Sequence, residues 1–306
     1  MDRERKIGLA MASGTALLWG FLAIAMKVAA GEVPANTIVW FRFTFAFLFL
    51  VPLVALKDVG RLKIIAKPPV LGLLAAVALG LNYIGYVGGL ERTSASNAQV
   101  LIQLAPLLLA VAGVVVFKER MGRVQQLGVL LAVIGFVVFG YDQYEASGMV
   151  REHLMLGNLI LVGGAIAWTT YAVFQKILLG RGYAPQDLNL LLYGLPALVL
   201  WPLADFGVLA NMSSGMWLLM SFLGANTLIA YGALGEAFKR LPAYQVGMIV
   251  TLNPLITLGA IEVLGAMEVE WAPQDHVGML GYFAALLVVT GIGVVLFGGR
   301  QPKVRD

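Results

Sequence analysis

Cysteine is absent, and the 2 histidines, His153 and His276, lie in separate polar stretches. That removes a disulfide framework and thiolate metal sites, and it leaves no clustered ligands for a metal centre. Charge is scarce as well. Asp, Glu, Lys and Arg make up 12% of the chain, against about 25% in a typical soluble domain, while 60% is hydrophobic and the mean hydropathy is +0.86. Water cannot be the main solvent of such a chain, so the lipid bilayer is its first predicted partner. The net charge of +4 and pI near 9.3 do not point to nucleic acid, because the basic residues lie between apolar blocks. That arrangement is a topology signal. A membrane-embedded enzyme, such as a lipid-modifying transferase, would need a His, Asp or Cys cluster or a phosphate loop of the form G-x-x-x-x-G-K-[ST]. Neither occurs, and no catalytic residue or cofactor is expected.

What the chain does have is long hydrophobic runs. A helix needs roughly 20 apolar residues to cross about 30 Å of hydrocarbon. Ten such blocks fall near 8–30, 37–56, 70–90, 95–117, 124–141, 155–179, 188–204, 216–238, 243–264 and 277–298. Their connections are short and carry helix stops and starts, such as Gly31-Glu32-Val33-Pro34 and Arg181-Gly182-Tyr183-Ala184-Pro185. The chain therefore reads as a single integral membrane domain over 1–306. The first block follows a basic start but is too long for the usual ~7–15-residue core of a signal peptide, so an uncleaved span is expected. An inner N-terminus leaves only Arg92 and Arg151 in the outer connections, with Lys27 and Arg42 inside blocks and the other basic residues on the inner side. Both termini are accordingly expected in the cytoplasm.

The two halves match. Gly8, Trp19 and Lys27 in block one have the spacings of Gly157, Trp168 and Lys176 in block six. Arg92, Ala95 and Leu104-Ala105-Pro106-Leu107 correspond to Arg240, Ala243 and Leu252-Asn253-Pro254-Leu255, each offset by 148. Leu79-Gly80-Leu81-Asn82 answers Leu223-Gly224-Ala225-Asn226, and Leu127-Gly128 answers Leu280-Gly281. One match between apolar segments means little, whereas four in the same order imply a repeat, about 1–145 and 150–306. With five crossings in each half, the second must enter from the opposite side. The expected fold is an all-α membrane protein of ten transmembrane helices, two inverted five-helix repeats around a central cavity, an architecture common in secondary transporters.

Trp19-Gly20, Arg42-Phe43, and the stretch from Thr93-Ser94-Ala95 through Leu104-Ala105-Pro106-Leu107 to Glu119-Arg120 resemble the drug/metabolite transporter superfamily. Within it the chain is most similar to ten-span EamA-type exporters of the YddG-type, amino-acid-exporting kind. The resemblance covers essentially the whole chain. It implies that helices one, three, four, six, eight and nine surround a central cavity, with five and ten outside it. The second half departs at Met267, which stands where the first half has its Lys-Glu-Arg end, although Glu268 is adjacent.

The residues lead to the same six helices independently, since their midpoints fall near Trp19, Asn82, Pro106, Trp168, Asn226 and Asn253. An amide without a partner is costly in hydrocarbon, so Asn82, Gln103, Asn226 and Asn253 should face protein or a wet cavity. Pro106 and Pro254 lack a donor and release the carbonyls of Ile102 and Val250, which a substrate ammonium or hydroxyl could use. Trp19 and Trp168, with Tyr83, Tyr86 and Tyr231, would supply amphipathic walls. Each of these residues also has a plain structural reading: a kink at the prolines, an interhelical hydrogen bond at the amides, packing at the rings.

Among charges, Lys27, Lys176, Glu236 and Glu262 lie near helix ends, where they can snorkel. Arg42 is deeper and is the best gating or carboxylate-binding candidate, and Glu236 is the carboxylate to consider for coupling. Gly85 and Gly89 should allow close helix approach. The expected function is secondary transport by alternating access, exporting small amphipathic metabolites, amino acids and aromatic ones among them, across a bacterial inner membrane. The working unit is read as a monomer and the partner as a small-molecule substrate. Other drugs, or nucleotide-sugar or lipid-like solutes, are the alternative within transport, and a receptor or assembly subunit is the alternative outside it.

Overall fold

The computed structural model describes residues 3–90, 92–93, 98, 101–147, 151–269 and 278–297. Ser94 and Ala95 of the repeat motif, and the basic residues after 297, lie outside the described residues. Among the described residues, the main helices overlap the apolar blocks. They are α1 (Arg3–Ala30), α2 (Ala35–Ala55), α3 (Val70–Leu90), α4 (Leu104–Val115), α5 (Arg123–Ser147), α6 (Arg151–Gly180), α7 (Pro185–Leu200), α8 (Ser214–Arg240), α9 (Ala243–Ala266) and α10 (Met279–Phe297). No strand occurs among the described residues. Seven of the helices, α1, α2, α3, α5, α6, α8 and α9, are long and apolar enough to cross a membrane. Of the other three, α4 and α10 are shorter apolar helices. At 16 residues, α7 rises only about 24 Å, and a 3-10 turn at Trp201–Leu203 continues it.

Local sequence sets the helix limits. Gly182, at φ +91°, ends α6, with Tyr183 N–H donating to Leu178 O and Gly182 N–H to Leu179 O. This paired closure uses a left-handed residue just past the last turn. Pro185 then starts α7 at a position where the missing donor costs nothing. Ser213 caps α8 through Met216 N–H at 3.1 Å. In α9 the ladder breaks at Thr251–Leu252, just before Pro254.

The outside of the bundle is apolar: Val137 is 67% exposed, Leu286 63% and Leu218 75%. Apolar surface on this scale has no place in water, and hydrocarbon is the solvent it suits. The chain is a multi-pass membrane protein. Inside, small residues bring backbones together. A methyl group on Gly85 would lie 3.1 Å from Gly164 Cα, and one on Gly128 would lie 2.6 Å from Gly291 O.

The packing pattern treats the halves alike. Helix α1 packs on α8 and α9, and α6 packs on α3 and α4. Exchanging each helix with the one five further along turns the first set of contacts into the second. Among the other pairs, α2 with α7, α4 with α9 and α5 with α10 map onto themselves, and α2 with α8 exchanges with α7 with α3. The repeat glycines obey the same exchange. A methyl on Gly8 would meet Leu241 and the Arg240 Cβ, and one on Gly157 would meet Thr93 and the Arg92 Cβ.

Polar contacts define the two ends of the bundle. At one end Arg240 pairs with Glu4, at the start of α1, and Lys176, near the end of α6, donates to Leu241 O. Arg61 pairs with Asp187 there too. At the other end Thr37 accepts from Asp205 N–H and Asp142 from Gly278 N–H. Helix α1 thus begins at the end where α6 finishes.

Candidate functional site

A cavity of about 110 Å³ lies between the halves, bordered by α1, α2, α3, α4, α6, α8 and α9. Its lining from the first half comes from the stretches of α1, α2 and α3 far from the Glu4 end: Met26, Arg42, Asn82 and Val87. Its lining from the second half comes from mid-height, at Trp168, Tyr231, Val250 and Asn253. The cavity therefore occupies the half of the bundle away from Glu4 and Lys176.

Of the residues singled out from sequence, the lining includes Trp19, Arg42, Asn82, Tyr83, Tyr86, Gln103, Pro106, Trp168, Tyr231 and Asn253. Asn226, Pro254 and Glu236 stand elsewhere. Asn226, only 2% exposed, donates to Leu18 O at 2.7 Å, so it ties α8 to α1. Asn82 makes the corresponding bond from α3 to Gly164 O of α6 at 3.0 Å, yet still borders the cavity. Pro254 is buried inside α9. Glu236 sits at the inner end of α8, paired with Arg240 and accepting from Gln186 Nε2 at 3.2 Å. The carbonyls that the two prolines were expected to release already have donors. Ala105 N–H reaches Ile102 O at 3.0 Å. Asn253, with its amide nitrogen turned to the acceptors around it, donates to Val250 O at 3.1 Å and Ala16 O at 2.9 Å.

Aromatic rings make up much of the wall. Trp19 meets Trp168 edge-on at 6.0 Å between centroids and Tyr231 at 5.1 Å. Tyr231 in turn neighbours Tyr83, Tyr171 and Tyr193 at 6.3, 5.8 and 6.4 Å. Rings in such arrangements give a surface that accepts apolar bodies and cations on its faces.

Polar groups interrupt this wall, Arg42 and Gln103 besides Asn82 and Asn253. Arg42 is 2% exposed. Its Nε donates to Thr227 Oγ1 at 3.0 Å, Nη1 to Met26 Sδ at 3.1 Å and Nη2 to Tyr83 OH at 3.1 Å. The guanidinium also stands 4.8 Å from the Tyr83 ring centroid. All of these partners are neutral. Gln103, also 2% exposed, has an Oε1 with no hydrogen-bond partner among the described residues.

At the end of the bundle that holds Glu4, an ion pair joins α6 to the chain after α4. Lys176 Nζ lies 3.1 Å from Glu119 Oε1 and donates to Leu241 O at 2.9 Å. The Glu119 carboxylate also accepts from Ala243 N–H at 2.8 Å and Tyr244 N–H at 3.2 Å, the first free donors of α9. Lys118, at φ 55°, turns the chain after α4 so that Glu119 folds back over Gly113, where a methyl would lie 2.4 Å from Glu119 Oε2. Sequence reading gave Lys176 a place at the membrane surface. The structure instead buries its head against Glu119, with the two side chains 14% and 13% exposed. Both residues belonged to recognised patterns, but nothing in the sequence joins positions 57 residues apart. By contrast Lys27, the repeat counterpart of Lys176, is exposed.

Comparison with known proteins agrees with this architecture. The EamA-like transporter family matches twice, over residues 6–141 and 155–297. The uncharacterized inner membrane transporter YhbE of Escherichia coli K12 is 37% identical over 309 residues, covering 98% of this chain and 96% of its own. An uncharacterized transporter of Haemophilus influenzae is 30% identical over 292 residues, 95% of each chain. A probable amino-acid metabolite efflux pump of Escherichia coli K12 is 22% identical over 319 residues, 98% of each. A solved crystal structure at 20% identity shares the fold with a TM-score of 0.77, covering 97% of this chain and 100% of its own. The double family match, one per half of a helical bundle with an aromatic-walled cavity between its halves, places the chain in the EamA-like transporter family of the drug/metabolite transporter superfamily.

Proposed function

We propose that this transporter is a ten-span secondary carrier of two inverted five-helix repeats, exporting small amphipathic metabolites by alternating access, with amino acids, aromatic ones among them, as its main solutes. The observation that carries the reading is the cavity itself: one chamber between the halves, walled by Trp19, Trp168 and Tyr231 and crossed by polar groups. A chamber of about 110 Å³ is somewhat smaller than the roughly 150 Å³ apolar cavity that holds benzene, so an aromatic amino acid requires the walls to part as it binds.

Inversion is supported by the opposite running of α1 and α6 and by the exchange symmetry of the packing. The basic residues favour placing the Glu4 and Lys176 end in the cytoplasm, with both termini. The chamber then belongs to an outward-facing state whose inner end is closed by Glu119 and Lys176. The bacterial inner membrane, export and the amino-acid class follow the names of the relatives. A monomer contains every part that this mechanism uses.

The test is saturable flux in proteoliposomes holding only this protein, measured with a panel of radiolabelled amino acids. Trp168→Ala, with its melting temperature retained, is expected to lower the flux at least about tenfold, since truncating a buried aromatic removes several kcal/mol of contact. Undiminished flux in that variant contradicts the cavity assignment, and absence of flux for the whole panel contradicts the amino-acid reading.

A further inference from the structure

Arg42 is a buried cation that no carboxylate among the described residues neutralises, and it stands on the wall of the cavity. A guanidinium has five N–H donors. One bond each to Thr227 Oγ1, Met26 Sδ and Tyr83 OH engages Nε, Nη1 and Nη2 once. One N–H then remains on each terminal nitrogen, and that pair is the fork a carboxylate accepts from. A thioether is moreover a weak acceptor, so the Nη1 contact with Met26 is easily given up.

A charge held in this way is costly in hydrocarbon, and a counter-charge brought by a guest would offset that cost. Among the described residues, Gln103 Oε1 is the one fully buried polar side-chain atom on the wall that lacks a hydrogen-bond partner. It is an acceptor, and hence complementary to an ammonium rather than to an anion. A fork of donors, an orphan acceptor and an aromatic basin fit one kind of guest: a zwitterion with an apolar body.

We propose that Arg42 is the carboxylate anchor of the transport site and that Gln103 receives the solute's ammonium group. A carboxylate is then the required part of the solute, and an amine alone is a poor ligand. Tyr83 and Thr227 position the guanidinium, each holding one of its nitrogens. This rests on the reading that the cavity carries the solute, but it concerns binding and is tested as binding.

The experiment is calorimetric titration of the full-length protein in nanodiscs with L-phenylalanine, 3-phenylpropionate and phenethylamine, and with the same series built on leucine. The expected order in wild type is the amino acid first, the carboxylic acid second and the amine weakest. Arg42→Gln is expected to weaken both carboxylates about tenfold or more and to leave the amine unchanged. Gln103→Leu is expected to weaken the amino acid and the amine and to leave the acid unchanged. Should Arg42→Gln fail to fold, the wild-type series decides alone. An amine that binds as tightly as its amino acid, or a series in which no carboxylate binds, overturns the proposal. A carboxylate that binds but is not carried in liposomes supports the Arg42 assignment while contradicting transport.

Discussion

At the scale of single residues, Glu119 illustrates why some of the site was legible and some was not. Trp19, Tyr231 and Gln103 stand out in sequence because polar or ring-bearing residues at mid-depth in an apolar run need a reason. Arg42 stands out for the same cause. Glu119 sits beyond the end of α4, where a charge is ordinary, and its role depends on Lys118 turning the chain and on Gly113 leaving room. Neither condition can be read from spacing. Lys176 has the same history, since a lysine near a helix end is ordinarily at the surface. Glu119→Gln keeps the shape but removes the counter-charge, at a cost of about 1–3 kcal/mol for the largely buried pair. The inner seal is expected to loosen. A cysteine replacing Ala172, which is 0% exposed on α6 between Trp168 and Lys176, should then react faster with a thiol reagent supplied from the cytoplasmic side. Equal rates in the presence and absence of the Glu119 substitution would show that the pair does not hold the seal.

At the scale of elements, hydropathy located the seven helices long and apolar enough to cross a membrane, because hydrocarbon thickness fixes the length of an apolar run. It could not foresee that α7 is short, since the 3-10 turn at Trp201–Leu203 lies within the same apolar block. Pro254 signalled the break in α9, but its physical partner was hidden. Asn253, one residue earlier in the chain, takes the Val250 carbonyl that the break exposes. Helices α5 and α10 contribute no residue to the cavity and meet through bare backbone, where a methyl on Gly291 would lie 2.5 Å from Gly128 O. Gly291→Ala overpacks this contact and should destabilise the protein by about 1–3 kcal/mol. The variant is expected to show a lower melting temperature with an unchanged KM for flux. A shifted KM would mean that the peripheral pair reaches the site.

At the scale of the whole molecule, the repeat was readable because Gly8 and Gly157, Trp19 and Trp168, and Pro106 and Pro254 recur in order. The physical reason for the glycines emerged only in three dimensions, where each abuts the turn between two helices of the other half. The cavity's position in the half away from Glu4 and Lys176 could not be inferred from symmetry, since exact symmetry would centre it. It follows from which end Glu119 and Lys176 close. If the carrier works by the proposed alternating access, the same halves rock to close the opposite end, where Lys27 is exposed.

The central claim is that the two halves run through the membrane in opposite senses. Because the chain contains 0 Cys, single cysteines report sidedness without background. Glu32 and Arg181 are both exposed and each follows the first helix of its half. With an impermeant maleimide applied to intact cells and then to inside-out vesicles, Glu32→Cys is predicted to label from outside and Arg181→Cys from the cytoplasmic side. Labelling of both positions from the same side would contradict the account.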